Sequence, residues 1–552
     1  ETTTNSFTFV TGLTAGDEVV AQIWRTNIST SGDALTVTYT PAGTGAVATT
    51  VQAKLRESVS VKDFGASSSA SAATNYAAFM AAKTYLDTLG GGDLIVPIGV
   101  YNIGTNALVF DTPNIRILGQ GTPNRNAADT SGASVIQYTG TGIGITLGKQ
   151  PISTDPTNLF VDGICMSKIQ VVVNTTTTIG VWVNSCGYGK LSFVSIDGNS
   201  GTGRKGLKVT GPIVYKFEFV EVSGGSGAVT PYTDYLENGL ELNQSTYSDT
   251  SAACVSATDV SFDRCYFHYC YTAASVTATG TSSMYNCGFE SSNVGMVFGV
   301  AVDMSFNDCH FENNQMYDAY YSAPPSGSMS AITFNHTTFN MYSRAKVFDG
   351  GGFGTGAGAL FLRLNHCIFS TQAANPYLFG QFIGLQSKSR VEFCSPVFYG
   401  PNWNVATVND SGSDLNIATW CKFTDMPVVE YRFTANTPYS LGAFNTLYAA
   451  PGVASLRVSD YGNIVGVNSY YSQTVTGTDF ATQVSVNGVQ ISAFDTGSTS
   501  TKPLLLGPLK YKVVPGDIIT VQSYITAGFL PTTGSFVCDV LVATGKDGTQ
   551  SY

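Results

Sequence analysis

The sequence predicts an all-β chain: a right-handed parallel β-helix (a solenoid) with a capping helix, a small N-terminal β domain and a C-terminal antiparallel β-sandwich. Three observations carry this expectation. Only 12% of the 552 residues are charged, while 59 glycines and 12% aromatic residues fill out the composition, about half the usual charged share of roughly 25%. A frame ending in Cys-x-Phe recurs at short spacing, and apolar and polar residues alternate within it as they do in strands. The length is several times that of a usual single domain, which suits a long repetitive body better than one compact core.

The repeat is read first. DRCYF, YNCGF, NDCHF, NHCIF, EFCSPVF and WCKF place Cys265, Cys287, Cys309, Cys367, Cys394 and Cys421 in similar frames, and NHTTF puts Thr337 in the same slot. Steps of 22 to 30 residues separate these positions, a solenoid period. MSFNDCHF and LRLNHCIF read as two short strands bent at a corner. The corner is two residues long, and its first position is expected at Asp263, Tyr285, Asn307, Asn335 and Asn365, where asparagine tolerates left-handed geometry and can bond along the stack. LSFVSI and FEFVEV have the same apolar spacing, with Val194-Ser195 and Val220-Glu221 at the corner. A third strand recurs as GVWVN, GLKVT, GLELN and GMVFG. Three strands per turn define a parallel β-helix, with Cys and Phe stacked inside at about 4.8 Å per coil. The cysteines are read as small buried hydrophobes, without disulfides or metal.

The ends are read next. Thr74 is placed to cap a helix over about Asn75 to Asp87, which the glycines at 90–92 stop; such a helix covers the open edge of the first coil. Residues 1–53 alternate around turn residues as a small β domain, and 54–113 hold the helix and first strands. The β-helix proper is expected over 114–427. Beyond Val428 the Cys-x-Phe rhythm stops, and strands such as ASLRVSD and TQVSVNGVQISAF suggest a sandwich over 428–552, for trimerisation or carbohydrate binding.

KLRESVSVKDFGA (Lys54 to Ala66), the helix, GGGDLIVPIGVY (Gly90 to Tyr101) and the coils that follow resemble bacteriophage tailspikes of the pectate-lyase-like superfamily, over about residues 54 to 430. Ser67 to Ala73 departs from the GDGxxDD-like stretch that relatives carry after DFGA. The resemblance implies a homotrimeric fibre on the phage virion. It would join phage tail or baseplate proteins through a segment preceding Glu1 and act at the host cell surface on capsule or O-antigen polysaccharide. The chain has no NTD, GHG and RIK set and no WxDH pattern, which disfavours pectin as substrate. No cofactor and no metal are expected. A net charge of −11 disfavours nucleic acid, and no run approaches the roughly 18 apolar residues of a membrane span.

Glycan hydrolysis needs two carboxyl groups, about 5–5.5 Å apart for retention and about 6.5–9.5 Å for inversion, and neighbouring coils supply such spacings. Outward positions after the corner read Tyr266 and His268, Gly288 and Glu290, His310 and Glu312, then Thr338 and Asn340. Glu290 and Glu312 are therefore expected to be neighbours beside His310 and His268, with like charges raising one carboxyl pKa. Arg264, Asn286 and Asp308 add a polar cluster at the corner. A second candidate set is Glu218, Asp259 and Asp303 on the preceding strand face. Insertions at 223–238 and 244–258 bring Tyr232, Tyr235 and Tyr247 as groove-wall candidates for substrate. Trp182, Trp403 and Trp420 could stack on sugars, and GGGFGTGAG reads as an inter-coil loop because no Lys-Ser/Thr follows it. The competing reading gives these ladders to solubility or a subunit interface. The function expected is that of an endo-acting glycoside hydrolase. Its alternatives are a polysaccharide lyase using His310, His268 or a tyrosine with Arg264, and a non-catalytic receptor-binding fibre.

Overall fold

The computed structural model describes residues 33–124, 129–155, 159–174, 176–198, 204–224, 236–277, 279–299, 302–321, 329–341, 346–350, 359–371, 377–379, 390–394, 397–399, 404–406, 421–424, 428–436, 443–446, 455–458, 462–471, 480–495, 501–505, 511–525 and 535–544. The chain divides into two units, Glu1–Glu57 and Ser58–Tyr552. In the first, Thr38–Tyr39 pairs antiparallel with Thr49–Thr50, and Thr50 caps a short helix, Val51–Leu55. The strands expected before residue 33 lie outside the described residues.

The second unit opens with the SVKDFGA motif, whose residues build a turn. Ser60 caps the 3-10 turn Val61–Phe64, Asp63 accepts the Ser60 N–H at 3.0 Å, and Gly65 closes it at φ 98°. Next comes the helix Ala72–Leu89, longer than expected and capped by Ser71, not Thr74; the Ser71 Oγ accepts the Thr74 N–H at 3.1 Å. Gly90 ends it at φ 75°, a left-handed cap that glycine takes without strain. Ala78, Phe79, Ala82 and Leu86 are buried, and the helix packs on strands Gly92–Val96 and Gly99–Gly104.

The body is a parallel β-helix of three strand columns. Column one runs from Ser58–Ser60 through Gly92–Val96, Val260–Asp263, Thr279–Tyr285 and Val302–Asn307 to Cys421–Thr424. Column two includes Tyr266–His268, Gly288–Glu290, His310–Glu312 and Thr338–Met341. Column three is an 11-stranded parallel sheet from Leu108–Phe110 to Asn404–Ala406. The long strands Cys165–Val173, Lys190–Gly198 and Lys216–Ser223 run through the first two columns and join them into one sheet.

In the later coils the corner between columns one and two falls on the second of the two residues expected there. Lys168, Phe193, Phe219, Arg264, Asn286, Asp308, His336 and His366 hold φ between 50° and 55° on successive coils. The asparagine ladder stands just before them: Asn335 donates to Asn307 and Asn365 to Asn335, each at 2.8 Å. In the two early coils the bend falls one residue before its expected place: Phe193 and Phe219, not Val194-Ser195 and Val220-Glu221, occupy it.

Phenylalanines stack inside, as in Phe217–Phe262 at 4.4 Å and Phe289–Phe311 at 4.7 Å between ring centres. Cys265, Cys287, Cys309 and Cys367 are buried beside them, and ten free cysteines are found among the described residues. Each of these four thiols lies 3.5–3.6 Å from a carbonyl of an earlier coil. After residue 428 the described strands form two five-stranded antiparallel sheets.

Candidate functional site

Parallel register decides which outward side chains meet. On column two, Glu221, Tyr266, Gly288, His310 and Thr338 occupy one file, and Ser223, His268, Glu290, Glu312 and Asn340 the next. The alternation read from the Cys-x-Phe frames is therefore the one the strands adopt.

Within this strip the side chains converge on Glu290. The Tyr266 hydroxyl donates to Glu290 Oε2, and His310 Nε2 lies 2.5 Å from Glu290 Oε1. Tyr266 comes from the coil before Glu290 and His310 from the coil after it, and both rings lean over Gly288. A Cβ at 288 would stand 2.5 Å from Tyr266 Cδ2 and 2.7 Å from His310 Cε1 and Nε2, so only glycine leaves room for the convergence. Burial pushes the Glu290 carboxyl up, but the bonds from His310 and Tyr266 outweigh it and hold it below the ordinary carboxylate range. Of the pair expected to hold one raised carboxyl, Glu290 is therefore not that one: the donors on both sides set its ionisation. Glu312 is one coil on in the same file and accepts from Asn340 Nδ2 at 3.4 Å.

His268 is part of the strip but nearly buried. Its Nε2 lies 3.0 Å from Glu221 Oε1, and its ring centre is 4.5 Å from that of Tyr266. Further back, Asp197 is 2% exposed and accepts from Ser195 at 3.0 Å and Gln170 at 3.1 Å, while its Oδ1 is buried without a hydrogen-bond partner. Burial raises Asp197 to about 7, with the nearby charge of Glu221 adding to it. Glu221 and Asp197 were not singled out from sequence. The available signal was the FEFVEV and LSFVSIDG frames, which place both residues on column two once the bend is moved back by one residue.

The other candidates lie apart. Arg264 and Asp308 are exposed corner residues, and the Arg264 guanidinium sits over the ring of Phe219 at 5.0 Å, with no hydrogen bond to the Glu290 cluster among those described. Glu218 is held by Lys190 and Lys216, each at 2.5 Å, and these bonds keep its carboxyl low. It is in register with Asp263, four residues along the strand from the row of Asp259, so the second set is not assembled around Glu218. Asp259 sits in a left-handed turn at φ 53°, and Asp303 is exposed on column one two coils later. Tyr247 belongs to a hairpin that docks on residues 150–153, after a column-three strand and away from the Glu290 strip. Tyr232, Tyr235, Trp403 and Trp420 lie outside the described residues. Trp182 points out of column three, with its Nε1 donating to Thr210 at 2.9 Å.

No family model matches the chain, and no curated protein is similar to it. Solved structures do align. The tailspike of Acinetobacter phage vB_ApiP_P1 aligns at 13% identity and TM-score 0.46, over 88% of this chain and 87% of that one. The enzymatically active domain of bacteriophage CBA120 tailspike protein 2 aligns at 12% and 0.44, over 94% and 85%. The catalytic unit of an α-1,3-glucanase from Streptomyces thermodiastaticus aligns at 13% and 0.42, over 67% and 68%. The parallel β-helix stands on the register of the chain's own strands.

Proposed function

We propose that the chain is the tailspike of a bacteriophage, a homotrimer on the virion that binds the surface polysaccharide of its host, capsule or O-antigen, and cleaves it by endo-acting hydrolysis. The observation that carries this reading is the convergence of Tyr266 and His310 on Glu290 over Gly288. A carboxylate kept ionised by two donors is prepared to meet the positive charge that develops at an anomeric carbon. Glu312, one coil away at about 4.8 Å, is close to the separation of a retaining pair, about 5–5.5 Å. In this mechanism Glu312 protonates the leaving oxygen while Glu290 bonds the sugar; water then releases Glu290 and returns the proton to Glu312. Tyr266 and His310 fix the carboxylate and leave it a good leaving group in the second step.

One observation favours a second reading, β-elimination on a uronate: the close Glu290–His310 pair could orient His310 as the base. An unsaturated, ultraviolet-absorbing product separates it from hydrolysis. The test is to incubate the protein with capsule and lipopolysaccharide from a bacterial panel and size the products. Glu290→Gln and Glu312→Gln should each lower cleavage by at least about 10²-fold. Cleavage that survives Glu290→Gln sinks the assignment, and binding without fragments favours a non-catalytic fibre.

A further inference from the structure

A ridge of left-handed residues borders the strip, and its first coils carry side chains that the bend does not require. Lys168, Phe193, Phe219 and Arg264 hold this corner on four consecutive coils at φ 55°, 52°, 51° and 52°. On the next two coils the position is Asn286 and Asp308, residue types that take this conformation readily, whereas a bulky ring is disfavoured there. The rings are not drawn in by the core either, because Phe193 and Phe219 are 44% and 36% exposed. They stack on each other at 4.6 Å and 12°, and the Arg264 guanidinium lies 5.0 Å from the centre of Phe219. Rings stacked coil on coil turn their edges outward, and the edge is the electropositive part of an aromatic ring. Lys168 and Arg264 stand at the two ends of this apolar strip, with Asp263 Oδ1 3.7 Å from the Arg264 Nε, on a chain of net charge −11. Backbone strain kept at an exposed position points to a function.

We propose that the Lys168–Phe193–Phe219–Arg264 ridge is a subsite for an acidic pyranose, a uronate whose carboxylate meets Arg264 or Lys168 and whose ring lies along the phenylalanine edges. The proposal rests on the glycan reading of the neighbouring strip. The two surfaces are continuous: Phe219 is two residues from Glu221, and Arg264 is two residues from Tyr266, which holds Glu290. Each coil advances about 4.8 Å, roughly one sugar, so a glycan cut at Glu290 places residues of the same chain beside the ridge.

The test uses glucuronate and glucose as probes in saturation-transfer NMR on the wild-type chain and on Phe219→Asn and Arg264→Gln, with melting curves and light scattering in parallel. Asparagine suits the left-handed bend, so Phe219→Asn keeps the fold. Glucuronate should receive several-fold more saturation than glucose, and each substitution should remove most of that difference. Equal transfer to both sugars, or a glucuronate preference that survives both substitutions, overturns the proposal. A fall in solution mass on Phe219→Asn assigns the ridge to contact between copies and overturns it too. A glucuronate preference lost with the substitutions, in a protein that cuts no glycan of the panel, supports the ridge and removes the hydrolytic reading.

Discussion

A methyl group at position 288 would meet the rings of Tyr266 and His310 at 2.5 and 2.7 Å, distances that force both rings to move. Gly288→Ala should therefore leave the melting temperature close to wild type and lower glycan cleavage by roughly 10²-fold, the scale of a displacement near 1 Å in a catalytic group; kinetics beside a thermal melt check both halves. Asp197 makes a prediction of the opposite kind. Its folded carboxyl is raised from 3.8 to about 7, so the unfolded chain releases this proton first. The favourable state is fully present below about pH 4 and is lost as pH rises towards 7, a loss of about 4 kcal/mol at 1.36 kcal/mol per unit. Asp197→Asn should be more stable than wild type at pH 8, with the gap closing at pH 4, as denaturant titrations at the two pH values would show. Glu290, Glu312 and His310 were legible because the Cys-x-Phe frame fixes which residues face outward. Asp197 and Glu221 were not, because a phenylalanine at a left-handed bend reads as core, and that assignment moved the bend by one residue.

At the level of the coil, the asparagine ladder and the thiols serve the same bend. Asn335 donates to Asn307 and accepts from Asn365, so Asn335→Ala should cost about 2 kcal/mol, two hydrogen bonds at roughly 1 kcal/mol each, measurable by urea titration. Beneath it, Cys309 Sγ lies 3.5 Å from its own Asn307 carbonyl, and in the next coil Thr337 Oγ1 lies 3.3 Å from that of Asn335. A hydroxyl and a thiol thus fill one slot, and Cys309→Thr should cost less than Cys309→Ala, which leaves a cavity. The repeat, its period and its interior were readable because stacked parallel strands demand the same residue type at each return. The turns between columns three and one were not, since their lengths vary from coil to coil and nothing in the spacing says where an insertion docks; the hairpin of Tyr247 on residues 150–153 is the instance.

For the whole molecule, the open edge of a parallel stack is its weak point, and here the first coils lie under the helix Ala72–Leu89. Phe79 is fully buried there, 6.0 Å from the ring of Tyr101. Phe79→Ala should cost about 3–5 kcal/mol and leave the uncovered edge prone to association, visible as light scattering below the melting transition. The helix was foreseen from its glycine stop and apolar spacing, though its start was set three residues late because Ser71 and Thr74 are both good caps. Another property of the whole lies in the thiol column. Burial holds Cys287 and Cys309 well above the usual thiol range and Cys367 at about 12, so the folded chain gives air nothing to oxidise there. Once unfolded, the same chain presents all 11 cysteines at ordinary acidity, free to cross-link at random. Heat damage is then written in sulfur and not erased on cooling: a sample heated in air should fail to regain its circular dichroism, while one heated with reductant should recover.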